Sequence, residues 1–309
     1  MPFLLLGLSV VLSTGRNLLS KNLSNVRFRT RPFFWCQSAL FLCGAVALVL
    51  FGKISSGVVA YQTLIYAAVY AILLIFAQWF YTAALAKGNT ALCSTVYSLG
   101  FILPTLSGAI LWAESFSFLD LLGIMCAISA VIVSGGKLQL KNGKSYYFAP
   151  LVIAMLASGG LGIVQKLQQK SVYAEQKSIF LLIAFTLAAV ISLIFSLFAK
   201  KQGDPPFRRG KLAVASCIGV CFGCCNLLNT TLAGLLDSAI FFPTLNIGVI
   251  LLSMICGVIF FKERILKRCA TLTFLSTWTA RWSIPPPVLP TRWHTRWKNA
   301  ALRLPPPRS

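Results

Sequence analysis

The sequence predicts an all-α, polytopic membrane helix bundle, and three observations predict it. Of 309 residues, 57% are hydrophobic and 11% charged, against roughly 25% charged in a soluble domain. The apolar residues fall into nine runs of about the 20 residues that cross about 30 Å of hydrocarbon. The 28 Lys and Arg, set against six Asp and Glu for a net charge of +22, gather in the short spacers, as loops that orient helices do. This composition excludes a soluble enzyme and a disordered chain. It also argues against nucleic acid as a partner, because no soluble module presents the charge.

The runs cover residues 2–19, 33–51, 63–86, 90–112, 117–135, 146–165, 178–198, 211–234 and 238–261. The first opens Met1-Pro2-Phe3 without a basic n-region, and no small-residue cleavage site precedes Arg16. It therefore reads as a retained helix and not a signal peptide. Pro104, Pro150 and Pro243 lie within or at the edge of runs, where membrane bundles tolerate them, and Pro104 and Pro243 are expected to kink spans four and nine. A tenth run starts after Cys269 but reaches only Trp278 before Arg281 and the prolines, too short to span. The expectation is nine clear spans plus a truncated tenth. Seven of the fourteen Pro and four of the seven Trp lie between Trp278 and Arg308. Two explanations stand for this tail: a basic, aromatic membrane-surface segment, or a shifted reading frame that replaced the tenth span. The abrupt change favours the second.

A shift of 149 residues lays the chain on itself without gaps from residue 82 to 114: Thr82 on Thr231, Ala84 on Ala233, Thr95 on Thr244, Gly108 on Gly257 and Glu114 on Glu263. The Glu pair is informative because acids are so scarce. The domains expected are a first five-span repeat over 1–136, a second repeat over 146–269 with four spans and the start of a fifth, and a Pro/Arg/Trp-rich tail over 270–309 that does not span. An odd number of spans makes the second copy enter from the opposite side, so the copies form an inverted repeat of five helices about an axis in the membrane plane. Such a pair encloses a midplane cavity able to open to either side.

The two small-residue-rich fourth spans, Gly108-Ala-Ile-Leu-Trp-Ala-Glu114 and Gly257-Val-Ile-Phe-Phe-Lys-Glu263, within two five-span halves, resemble the EamA-type drug/metabolite transporter superfamily over about residues 1–269. The resemblance implies a ten-helix carrier of small organic solutes, with a central cavity lined by helices 1, 3, 4, 6, 8 and 9. The expected function is secondary transport of a small organic metabolite or drug by alternating access. The alternative is a non-transporting membrane protein, or the defective product of a frameshifted transporter gene. No catalysis is expected. A lipid-modifying enzyme would need acids, His or Arg clustered at one membrane face, and no such cluster stands outside the basic loops.

Polar side chains inside spans are costly and therefore carry functional expectations. Gln78, Tyr81 and Thr82 share one helical face at spacing 0, 3, 4, and Asn226, Asn229 and Thr230 repeat that spacing in span eight. Tyr97 falls on Asn246 under the 149-residue shift, and Gln165 closes span six. These eight residues, Gln78, Tyr81, Thr82, Tyr97, Asn226, Asn229, Thr230 and Asn246, are the expected substrate-binding set. The competing role is hydrogen-bonded packing between helices.

No acid lies at the centre of a span, which speaks against a central proton relay. Glu114 and Glu263 are candidate coupling residues or helix-end acids in structural salt bridges. The ten Cys lie in or beside spans, and Cys221-Val-Phe-Gly-Cys224 has no second CxxC and no nearby His. They read as small packing residues, so no metal and no cofactor are expected. Gly219-x-x-x-Gly223 and Ser158-Gly159-Gly160-Leu161-Gly162 offer surfaces for close helix contact. Basic residues favour the odd-numbered loops as cytoplasmic and the N-terminus as external, opposite to the usual description of the resembled family. The expected partners are a small-molecule substrate and the lipid bilayer, with a homodimer left open. The expected location is a bacterial-type inner (plasma) membrane.

Overall fold

A computed structural model describes residues 2–24, 26, 28–54, 58–86, 88, 90–112, 125, 148–199 and 209–261. All regular structure among these is helical: α1 (Pro2–Leu23), α2 (Arg31–Phe51), α3 (Tyr61–Leu85), α4 (Thr90–Ser98), α5 (Ile102–Trp112), α6 (Phe148–Lys170), α7 (Lys177–Phe198), α8 (Arg209–Leu235) and α9 (Ser238–Phe261). One 3₁₀ turn, Leu99–Phe101, joins α4 to α5, and another, Ala174–Gln176, precedes α7. Seven helical stretches among the described residues are long and apolar enough to cross a membrane, counting Cys93–Trp112 as one. The chain is thus a multi-pass, all-helical membrane protein. Glu114, Glu263, the tail over 270–309 and, apart from Met125, the fifth expected span (117–135) lie outside the described residues.

The distribution of side chains is that of a membrane bundle. Phe3, Leu50, Phe51, Ile110, Leu197 and Phe198 are among many large apolar residues on the outside, where hydrocarbon would receive them. Ser9, Arg16, Asn17, Gln78, Gln165, Asn226 and Thr230 are buried within. Spans tolerate such residues when they face one another instead of lipid.

Span four is broken where the sequence carries proline. Pro104 has no N–H to donate to Gly100, one turn back, and the chain there tightens into the 3₁₀ turn over Leu99–Phe101. Span nine differs, since α9 runs unbroken through Pro243. Pro150 sits in the first turn of α6, where N–H groups have no intrahelical partner to lose.

Glycine sets how close the helices come. A Cβ on Gly219 of α8 would lie 2.1 Å from the Leu40 carbonyl of α2, and one on Gly223 would lie 2.5 Å from the Gly44 carbonyl. On the other side of the bundle, a Cβ on Gly159 of α6 would lie 2.5 Å from the Gly100 carbonyl. Backbone rests on backbone at both crossings, the close approach that small residues permit in lipid. An edge-to-face aromatic cluster joins α2, α3 and α7: Phe34 and Trp79 lie 4.9 Å apart, and Trp79 and Phe195 5.3 Å.

Candidate binding cavity

Three polar networks meet inside the bundle. The first ties α3, α6 and α8. The Tyr70 hydroxyl donates to Asn226 Oδ1, and Gln165 Nε2 donates to Tyr70 Oη at 2.8 Å and to Asn226 Oδ1 at 3.2 Å. Asn226 Nδ2 in turn donates to the Phe222 carbonyl at 2.7 Å. The second ties α1 to α8. Ser9 donates to Asn229 Oδ1, Ser13 Oγ and Cys225 Sγ lie 2.8 Å apart, and Asn229 Nδ2 donates to Cys225 Sγ at 3.4 Å. Cys225 is therefore a polar contact of α1, and not only a small packing residue.

The third network is built on Arg16. Its Nε and Nη2 donate to Asn17 Oδ1 at 3.3 and 2.9 Å. Asn17 Nδ2 donates to Ser94 Oγ at 3.1 Å, and Ser94 donates to Ser253 Oγ at 3.3 Å. This chain of bonds ties α1 to α4 and α9. The guanidinium lies 4.5 Å from the Phe222 ring centre, 5.2 Å from Tyr97 and 5.8 Å from Tyr81. Ring faces at those distances attract a cation, more strongly once it is desolvated.

A cavity with about 90 Å³ of free space lies between these networks. Its walls come from α1 (Ser13, Arg16, Asn17), the span-four segment (Tyr97, Phe101), α6 (Gln165), α8 (Cys225, Asn226, Asn229) and α9 (Asn246). Asn246 Nδ2 donates to the Phe242 carbonyl at 2.8 Å, and its amide oxygen has no hydrogen bond among the described residues.

Of the eight residues expected to bind substrate, the structure brings Tyr97, Asn226, Asn229 and Asn246 onto the cavity wall and leaves Gln78, Tyr81, Thr82 and Thr230 off it. Spacing along one helix fixes a face but not what the neighbouring helices place opposite it: the α3 set packs into protein, and Thr230, on the same helix as Asn226 and Asn229, is buried off the wall as well. Tyr81 stands one layer back, its ring 4.5 Å from that of Tyr97. Thr82 Oγ1 donates to the Gln78 carbonyl and accepts from Gln37 at 3.5 Å. The Thr230 hydroxyl and both amide atoms of Gln78 are buried without a hydrogen-bond partner among the described residues.

Sequence reasoning missed Arg16, Asn17 and Ser13. Arg16 stands near the end of an apolar run and reads as a flanking charge. The signal against that reading is Leu18-Leu19 after Asn17, which carries the apolar run past Arg16 and keeps it within α1.

No family model matches the chain, and no curated protein matches it. The fold is similar to that of a protein with a solved crystal structure, at a TM-score of 0.61 and 17% identity, over 92% of this chain and 95% of that one. Identity that low makes the likeness one of fold alone.

Proposed function

We propose that the chain is a secondary carrier of a small organic solute, of the EamA type, working by alternating access between two inverted five-span repeats. The observation that carries this reading is a polar cavity walled by residues that are mates under the 149-residue shift: Ser13 with Gly162, Arg16 with Gln165, and Tyr97 with Asn246. Mates facing one cavity are what a pseudo-two-fold axis through it would produce.

Two further features support the repeat. The same shift carries α1, α2, α3 and the α4–α5 pair onto α6, α7, α8 and α9 to within about three residues at either end. Packing partners also exchange in pairs: α1 lies on α8 as α3 lies on α6, and α2 on α8 as α3 on α7. A lysine also joins the same helix pairs, though not at matched positions: Lys21 of α1 donates to the Leu85 and Gly88 carbonyls at the end of α3, and Lys166 of α6 donates to the Leu236 carbonyl at the end of α8, each meeting the negative pole of a helix. The cavity draws on the first, fourth, sixth, eighth and ninth spans, and the third reaches it through Tyr70.

The Pro-, Arg- and Trp-rich sequence after Cys269 favours a second reading, a transporter gene product made inactive by a shifted frame. Solute flux into proteoliposomes tests both. Flux from the chain as it stands supports the carrier. Flux only after the tail is replaced by an apolar span supports the second reading. Flux from neither overturns the carrier.

A further inference from the structure

Arg16 is the one charged residue on the cavity wall among the described residues, and it is only 6% exposed. No carboxylate lies against it there. The two acids the structure describes, Glu175 and Asp237, stand in the α6–α7 and α8–α9 connections. A buried cation without a counter-charge is destabilising by several kcal/mol in order of magnitude. Three aromatic rings and one amide oxygen offset only part of that. The same contacts also fix the guanidinium: Asn17 holds the Nε–Nη2 edge, and the rings of Phe222, Tyr97 and Tyr81 surround it. A guanidinium has five N–H donors. Asn17 takes two, and Tyr97 is a further partner of the charge, so donors remain for something else.

We infer that the cavity binds a small organic carboxylate carrying a net negative charge, with Arg16 as its anion-binding residue. The planar fork of a guanidinium matches a carboxylate in a bidentate way. One cation neutralises one charge, and among the described residues no second basic group and no acid line the wall, so a phosphate dianion and a zwitterion both fit poorly. About 90 Å³ is less than the roughly 150 Å³ of a cavity that takes benzene, so the anion is one of few heavy atoms. Asn246, whose amide oxygen makes no hydrogen bond among the described residues, and Gln165 sit on the same wall and suit a hydroxyl beside the carboxylate. Transport of this anion rests on the carrier reading, whereas its binding does not.

The test uses the full chain in detergent micelles, titrated calorimetrically with lactate, its neutral isostere lactamide, alanine and inorganic phosphate. Lactate should bind about 10- to 100-fold more tightly than lactamide, the range of a charge-assisted hydrogen bond. R16Q should remove that preference. R16K, which keeps the charge but loses the fork, should lose part of it and guards against misfolding of R16Q. Equal binding of lactate and lactamide, a preference that survives in R16Q, tighter binding of alanine or phosphate, or no binding of lactate would each overturn the inference. Labelled lactate and lactamide are then offered to proteoliposomes. Lactate that binds through Arg16 but does not cross sinks the carrier and leaves the anion site standing. Lactamide that crosses as fast as lactate does the reverse.

Discussion

Replacing Gly219 with alanine should loosen the crossing of α2 and α8, and the geometry sets the size of the effect. The new Cβ would lie 2.1 Å from the Leu40 carbonyl oxygen and 3.0 Å from Cys43 Cβ. Carbon–oxygen contacts between helices settle at about 3.3–3.6 Å, so the two backbones must part by about 1 Å. Neither can yield by rotating a side chain, because the nearest atom is main chain. Forcing a methyl group into packed structure costs about 1–3 kcal/mol. That lowers the folded-to-unfolded ratio by about 5- to 150-fold. Gly223→Ala, 2.5 Å from the Gly44 carbonyl, should behave alike. Gly7→Ala is the control, since nothing lies within 4 Å of its Cβ position, and it should be neutral or slightly stabilising. The assay is thermal unfolding in detergent, where 1 kcal/mol moves Tm by about 2–4 °C in domains of some 150–250 residues. A Tm for Gly219→Ala equal to that of Gly7→Ala would refute the close crossing.

Tyr70→Phe should cost about 1–2 kcal/mol in the same unfolding assay, because Gln165 and Asn226 keep their direct bond at 3.2 Å. Asn226→Leu should cost more, since it removes the acceptor that Tyr70 and Gln165 share and leaves only their mutual bond at 2.8 Å, and the opposite ranking would break the proposed network. Gln78→Leu should be neutral or stabilising, because it removes two buried amide atoms that have no partner. A loss of several degrees would show that Gln78 has a partner after all. Asn246→Ala should lower solute flux in proteoliposomes with little change in Tm, as its hydrogen bond is to the local Phe242 carbonyl. Unchanged flux would remove it from the site. In a background lacking native cysteines, Val58→Cys and Val172→Cys should react with an impermeant maleimide from outside and Asn22→Cys should not, given the basic loops. All three positions are exposed, and the reverse pattern would invert the topology.

Much of the architecture was legible because it is a one-dimensional property. Run length against bilayer thickness placed α1, α2, α3, the α4–α5 pair, α6, α7, α8 and α9 to within a few residues, with α1 and α6 extended by about one turn at their C-terminal ends. Pro104 and the Gly219-x-x-x-Gly223 pattern act locally, through a missing N–H and a missing Cβ, and their effects on span four and on the α2–α8 crossing could be read ahead of the fold. Pro243 acts no less locally, yet α9 stays continuous around it.

The sequence by itself determined that the chain is helical, membrane-spanning and polar in its interior, because hydrocarbon forbids unpaired backbone and charges polar side chains heavily. Tertiary structure decided which polar residues meet. Gln78 and Asn226 open the same 0, 3, 4 spacing, yet the first is buried in protein and the second lines the cavity. Arg16 belongs to the site for the same reason: its role depends on Asn17 beside it and on rings from α3, α4 and α8, residues up to about two hundred positions apart. Spacing along one helix fixes a face, but only the packing of its neighbours fixes what that face looks upon.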